Sequence, residues 1–160
     1  MKKKTINIII ISILLILVDL LSKELIIRSL SLNESIVIIK NFLKITYIKN
    51  TGAAFGILSN NIFLLICVTI FLVIYLIKEL KNTKSNLNLI AYTLIISGAF
   101  GNLIDRVFRK YVIDFISFTL FGREMAVFNI ADTYITIGIL LLIFNMVKEE
   151  IHERDKSRSK

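Results

Sequence analysis

Ile130-Ala-Asp-Thr-Tyr-Ile-Thr-Ile-Gly-Ile-Leu-Leu-Leu-Ile-Phe-Asn-Met-Val147 carries one charge, Asp132, in its first turn and none after it. A helix rising 1.5 Å per residue needs about 20 residues to cross the roughly 30 Å hydrocarbon layer of a bilayer, and this stretch is close to that length. Three more stretches match it. Thr5–Val18 continues past Asp19 to Leu21, Asn50–Ile77 is charge-free and most hydrophobic from Ile62, and Leu87–Ile104 carries no charge. The chain is expected to be a polytopic α-helical membrane protein. Its four transmembrane helices fall over about residues 5–22, 61–77, 87–105 and 130–148, in a single membrane-embedded domain spanning residues 1–160.

Composition agrees. Of 160 residues, 56% are hydrophobic and only 20% charged, too little polar surface for a soluble domain of this size. The one cysteine, Cys67, excludes a disulfide scaffold and reads as an inert packing residue within the second span. The net charge of +8 lies largely at the ends and in short loops, where membrane phospholipids with anionic headgroups are its natural partners. Aromatic–basic interleaving and finger-type Cys/His spacing are missing, so no nucleic-acid partner is expected.

Lys2–Lys4 before an apolar core also fits the start of a secretory signal peptide. A small-residue cleavage pattern is lacking, however, and three further spans follow. Four spans place both termini on one side. The terminal lysines and the short basic loop with Lys78, Lys81 and Lys84 assign that side to the cytoplasm. Ser35–Lys40 and Phe42–Ile48, rich in Ile, Val, Phe and Tyr with partial alternation, read as short antiparallel strands, and Tyr111–Thr119 is similar. A small external β-sheet over about residues 30–58 and 111–119 is therefore expected on the membrane surface. The tail Lys148–Lys160 reads as a frayed, solvated helix end.

The informative residues are polar ones at the external ends of the spans: Asp19 and Lys23; Asn102, Asp105 and Arg106; Asp114; Asn129 and Asp132. Ionisable groups at membrane depth are costly and usually face the bundle interior, paired or functional. Asp19 and Lys23, four apart, fit either a helix-end ion pair or a brace for a site. Arg106 shares a helical face with Asn102, yet its length would also let it snorkel to headgroups. Ser97, Gly98 and Gly101 suit close helix packing as well as room for substrate. Asn129 has the chemistry of a helix cap. Asp114 and Asp132 are harder to explain away. Two carboxylates in a partly dry pocket cannot both ionise comfortably, so one keeps a proton that the other lacks. Such a pair can activate water against a peptide carbonyl and then protonate the departing nitrogen.

Other schemes lack their residues. The only histidine, His152, sits in the polar tail, which removes Ser-His, Cys-His and zincin chemistry, and no nucleotide-binding glycine motif occurs. A proton-coupled transporter would also want buried aspartates, but at several depths, whereas the span centres here are free of charge. A membrane scaffold would have no need of the cluster at all.

Five ordered segments carry a resemblance. They are Asp19-Leu-Leu-Ser-Lys23, Asn50-Thr-Gly-Ala-Ala-Phe-Gly56, Gly101-Asn-Leu-Ile-Asp-Arg106, Val112-Ile-Asp-Phe115 and Phe128-Asn-Ile-Ala-Asp132. Together with the four spans they resemble the lipoprotein signal peptidases (signal peptidase II) over the whole chain. The resemblance implies a bacterial inner-membrane aspartic endopeptidase that cuts prolipoproteins just before a diacylglyceryl-modified cysteine. It puts the catalytic aspartates at Asp114 and Asp132, with Asp19, Lys23, Asn50, Gly52, Asn102, Arg106 and Asn129 in support. It also implies an external sheet that forms a cradle; the mechanism needs no metal or organic cofactor, and a monomer is expected. Departures are modest: Leu20 stands where the family usually has glutamine, Gly56 where serine is common, and Met125-Ala-Val precedes Phe128 where many members have a proline.

Overall fold

The computed structural model describes residues 2–52 and 61–158. Four helices run α1 (Lys2–Ser29), α2 (Ile62–Asn82), α3 (Asn86–Arg109) and α4 (Ile130–Arg158), each with a window long and apolar enough to cross a membrane. In hydrocarbon every backbone N–H and C=O must be satisfied within the segment, which makes helices of runs as β-branched as Ile8–Ile13. α1 has 28 residues and rises about 42 Å, more than the hydrocarbon thickness, so it carries Asp19 and Lys23 toward one end of the bundle and continues beyond them.

α3 is the central helix. It contacts α1, α2 and α4, and eleven of its residues are buried, whereas α2 buries only Leu65, Val73 and Leu76. Cys67 is consequently exposed on the outer surface of α2 and is not the packing residue expected, because α2 meets the bundle along one narrow stripe. The α3–α4 crossing is close. A Cβ at Gly98 would stand 2.3 Å from the Ala131 carbonyl oxygen, and one at Gly138 2.8 Å from that of Ala91. The expected frayed tail is instead continuous helix to Arg158, with ion pairing such as Arg154 to Glu150 one turn away.

Strands β1 (Ser35–Ile39), β2 (Leu43–Asn50), β3 (Val112–Leu120) and β4 (Arg123–Glu124) form one antiparallel sheet in the order β1-β2-β3-β4. Two loops far apart in sequence thus build a single sheet at one end of the helices. Ser35–Ile39 and Leu43–Asn50 fall where richness in Ile, Val, Phe and Tyr, with partial alternation in the second, placed strands; β4, two residues long, gave no such signal. The part of the expected external sheet at 53–58 lies outside the described residues. Ile113 and Phe115 on one face of β3 pack with Leu30 and Tyr47 against the end of α1, which turns Val112, Asp114, Ile116 and Phe118 toward the opposite face.

Candidate active site

Asn129 and Asp132 form a reciprocal helix cap at the start of α4. Asp132 N–H donates to Asn129 Oδ1 at 2.9 Å, and Asn129 N–H donates to Asp132 Oδ2 at 3.2 Å. The cap leaves the Asn129 side-chain NH₂ free to do more. It donates to Asp114 Oδ1 at 2.7 Å and to Asn102 Oδ1 at 3.2 Å. Asn102 in turn donates its own Nδ2 to Asp132 Oδ1 at 2.7 Å. One residue, Asn129, therefore bonds to both aspartates, and it is fully buried while doing so.

The sheet delivers the other half. Asn50 pairs with Val112 and Ile48 with Asp114, so Asn50 and Asp114 are diagonal neighbours on one face. Asn50 Nδ2 donates to Asp114 Oδ2 at 2.7 Å, while its Oδ1 accepts from Gly52 N–H at 2.8 Å. Arg106 does not simply reach for headgroups. Its Nη2 donates to the Gly52 carbonyl at 3.0 Å, and it lines the same cavity as the two aspartates.

Behind this layer sits a charged knot. Lys23 is completely buried, with Nζ 2.8 Å from Asp19 Oδ2, 3.1 Å from Asp105 Oδ2 and 2.9 Å from Asn102 Oδ1. Asp19 Oδ1 accepts from Ala131 N–H at 2.9 Å, tying α1 to the residue before Asp132. A Cβ at Gly101 would lie 2.4 Å from Asp19 Oδ2, so Gly101 makes room for this carboxylate, as Gly98 makes room for the α4 backbone. All nine expected site residues fall in this one assembly.

Asp105 was not among them. It is fully buried, pairs with Lys23 and with Arg109 Nε at 3.3 Å, and accepts from Ile113 N–H at 3.3 Å, immediately before Asp114. The left-handed Lys110 (φ 68°) ends α3 and folds β3 back far enough for that contact. Its sequence signal was its place three residues after Asn102, one helical turn along the face that meets α1.

A cavity of about 790 Å³ opens between β3 and α4. Asn50, Asn102, Arg106, Asp114 and Asp132 gather in it, and most of the remaining wall is apolar, including Ile116, Phe118 and Ile135. Asp114 is 2% exposed. Burial, and next the charge of Asp132, push its carboxyl up to about 7, against the pull of the Asn50 and Asn129 amides. A carboxyl poised there exchanges a proton readily at neutral pH. Among the described residues no group of three or more His, Cys, Asp and Glu is arranged to hold a metal ion.

A family model described as signal peptidase (SPase) II matches residues 11–148. A lipoprotein signal peptidase of Clostridium tetani (strain Massachusetts / E88) is 41% identical over 151 residues, covering 92% of this chain and 97% of that protein. One of Streptococcus agalactiae serotype Ia is 45% identical over 145 residues, covering 88% and 92%. A solved structure described as a bacterial membrane enzyme superposes with a TM-score of 0.85 at 34% identity, covering 90% of this chain and 89% of that one.

Proposed function

Since the chain belongs to the signal peptidase II family, the lipoprotein signal peptidases, we propose that it is an aspartic endopeptidase of the bacterial cytoplasmic membrane that removes signal peptides from prolipoproteins by cutting before the diacylglyceryl-modified cysteine. The observation that carries this reading is the double grip of Asn129, which binds Asp114 through its side chain and Asp132 through its cap in one cavity.

In this mechanism Asp114 and Asp132 hold one proton between them, and the proton belongs to the pair. The ionised member takes a proton from water as the water oxygen bonds to the scissile carbonyl carbon. The tetrahedral intermediate then collapses, the C–N bond breaks, and the protonated member delivers its proton to the leaving amine. Asn102, Asn129 and Asn50 orient the carboxylates, while Arg106 holds the Gly52 carbonyl beside them. Asp19 and Lys23 brace α1 against α3 and α4. The apolar walls keep the substrate's acyl chains in the bilayer while the peptide bond meets the aspartates.

The buried charges Asp19, Lys23, Asp105 and Asp114 belong to this one assembly, which favours a peptidase over a proton path through the membrane. Lys4 donates to Asn86 at 3.1 Å, putting the start of α1 beside the α2–α3 loop at the end opposite the aspartates. With the basic residues there, this supports cytoplasmic termini and an external site. Both aspartates come from one chain, as a monomeric enzyme requires.

The test uses the purified full chain and two precursors, alike except for the diacylglyceryl group on the cysteine. Cleavage of the lipidated precursor alone, directly before the cysteine, is expected. Equal cleavage of both, or of neither, would contradict the assignment.

A further inference from the structure

A second cavity, of about 420 Å³, lies between α1 and α3 at the end remote from the aspartates. Its α1 wall is Lys4, Ile8, Ile11 and Leu15, spaced four, three and four apart and so one continuous helical stripe. Leu89 and Leu94 face it from α3, with Asn86 at the mouth beside Lys4. Thr93 also lines it, but the Thr93 hydroxyl is bonded to the Leu89 carbonyl at 2.7 Å, which leaves its methyl to the groove.

The groove has a physical origin. Toward the aspartates, Gly101 and the Lys23 bonds to Asn102 and Asp105 draw α1 and α3 together. In the other half the facing positions are large, and the helices stand apart. From Lys4 to Leu15 the helix rises about 16 Å, close to half of the roughly 30 Å hydrocarbon layer. The groove thus runs from one headgroup layer to the bilayer midplane, the reach of a single acyl chain. Among the described residues its one charged lining residue is a cation, Lys4. The ammonium gives one hydrogen bond to Asn86 and has capacity for two more.

We propose that this groove is a binding site for one anionic phospholipid, with an acyl chain along Ile8, Ile11 and Leu15 and the headgroup phosphate on Lys4. Bilayer tails are as apolar as the groove, so the walls supply fit without a net hydrophobic drive. Selectivity then rests on Lys4. The proposal is independent of the peptidase reading, because its readout is lipid retention and not cleavage.

The experiment is native mass spectrometry of the full chain released from detergent containing equal amounts of phosphatidylglycerol and phosphatidylcholine. Wild type is expected to retain one phosphatidylglycerol in about fivefold preference, the selectivity that one lysine confers against an anionic headgroup. Lys4→Gln should lose the preference. Ile11→Phe, which fills the groove and keeps the charge, should lose the bound lipid, and each variant's melting temperature in lipid-free detergent shows that it is folded. Equal retention of both lipids by wild type, or an undiminished preference in Lys4→Gln, would overturn the proposal. So would unchanged retention in Ile11→Phe.

Discussion

Lys23 holds Asn102 by its carbonyl oxygen, Nζ to Oδ1 at 2.9 Å. An ammonium can only donate, so the contact fixes which end of the Asn102 amide is oxygen and directs Nδ2 to Asp132, 2.7 Å away. A buried charge that touches neither Asp114 nor Asp132 thereby sets the hydrogen bond that Asp132 accepts. Asn102→Ala is expected to lower kcat about thirtyfold or more, the rate equivalent of roughly 2 kcal/mol for a lost hydrogen bond to a charged group, with KM little changed. Lys23→Met leaves Asp19 and Asp105 buried without their shared cation and should destabilise the fold by roughly 3–5 kcal/mol. A wild-type melting temperature for Lys23→Met would show that the ammonium is not what holds these helices together.

Gly98 tests how tightly α3 must hold α4. The atom nearest an added Cβ, at 2.3 Å, is the backbone oxygen of Ala131, which cannot swing aside, and Asp132 follows directly. Gly98→Ala should separate the helices, costing about 1–3 kcal/mol and most of the turnover. Gly122→Asn is the control. Nothing lies within 4 Å of a Cβ there, and asparagine tolerates its φ of +73°, so stability and turnover should both stay at wild-type levels.

The pH dependence follows from Asp114. In the proposed mechanism the pair works with one proton and stops once the second carboxyl ionises, a step that burial and the charge of Asp132 place at about 7 for Asp114. The logarithm of kcat/KM should therefore fall with a slope of about −1 above pH 7, because this parameter reports ionisations of the free enzyme. Arg106 is a nearby cation. Removing it makes the second ionisation harder, so Arg106→Gln should move the alkaline limb to higher pH whatever it does to the maximum rate. A limb that stays in place would separate Arg106 from the electrostatics of the pair.

Much of this was legible in the sequence because membranes punish irregularity. Charges are so costly in hydrocarbon that Asp19 and Asp132 stood out in their spans, Asp114 stood out as the one charge in the β-prone run Tyr111–Thr119, and β-prone composition with partial alternation sufficed for two strands. Less legible were features that only tertiary contact creates. Asp105 matters through Lys23 on another helix and through the N–H of Ile113, partners that no local pattern names. Cys67 looks like packing in a one-dimensional apolar run, yet the narrow contact stripe of α2 leaves it outside. The helix after Lys148 continues where fraying was expected, since Arg154 pairs with Glu150 and Asn145 donates to Glu149, each one turn apart.

The central claim is that Asp114 and Asp132 act as one catalytic unit, and single-turnover cleavage of a diacylglyceryl-modified precursor tests it most directly. Asp114→Asn and Asp132→Asn should each abolish cleavage, because an amide can neither accept a proton from water nor deliver one to the amine. Both variants should remain folded, since asparagine keeps the shape and removes a buried charge, and helix content measured alongside checks this. The double variant should lose little beyond either single one, as groups acting together fail at the first deletion. Asp19→Asn should weaken cleavage without abolishing it, because Asp19 touches Lys23 and Ala131 and neither aspartate of the pair. General acid–base catalysis of this kind contributes at least about a hundredfold. Retention of more than about a tenth of wild-type turnover by Asp114→Asn or Asp132→Asn would contradict the dyad.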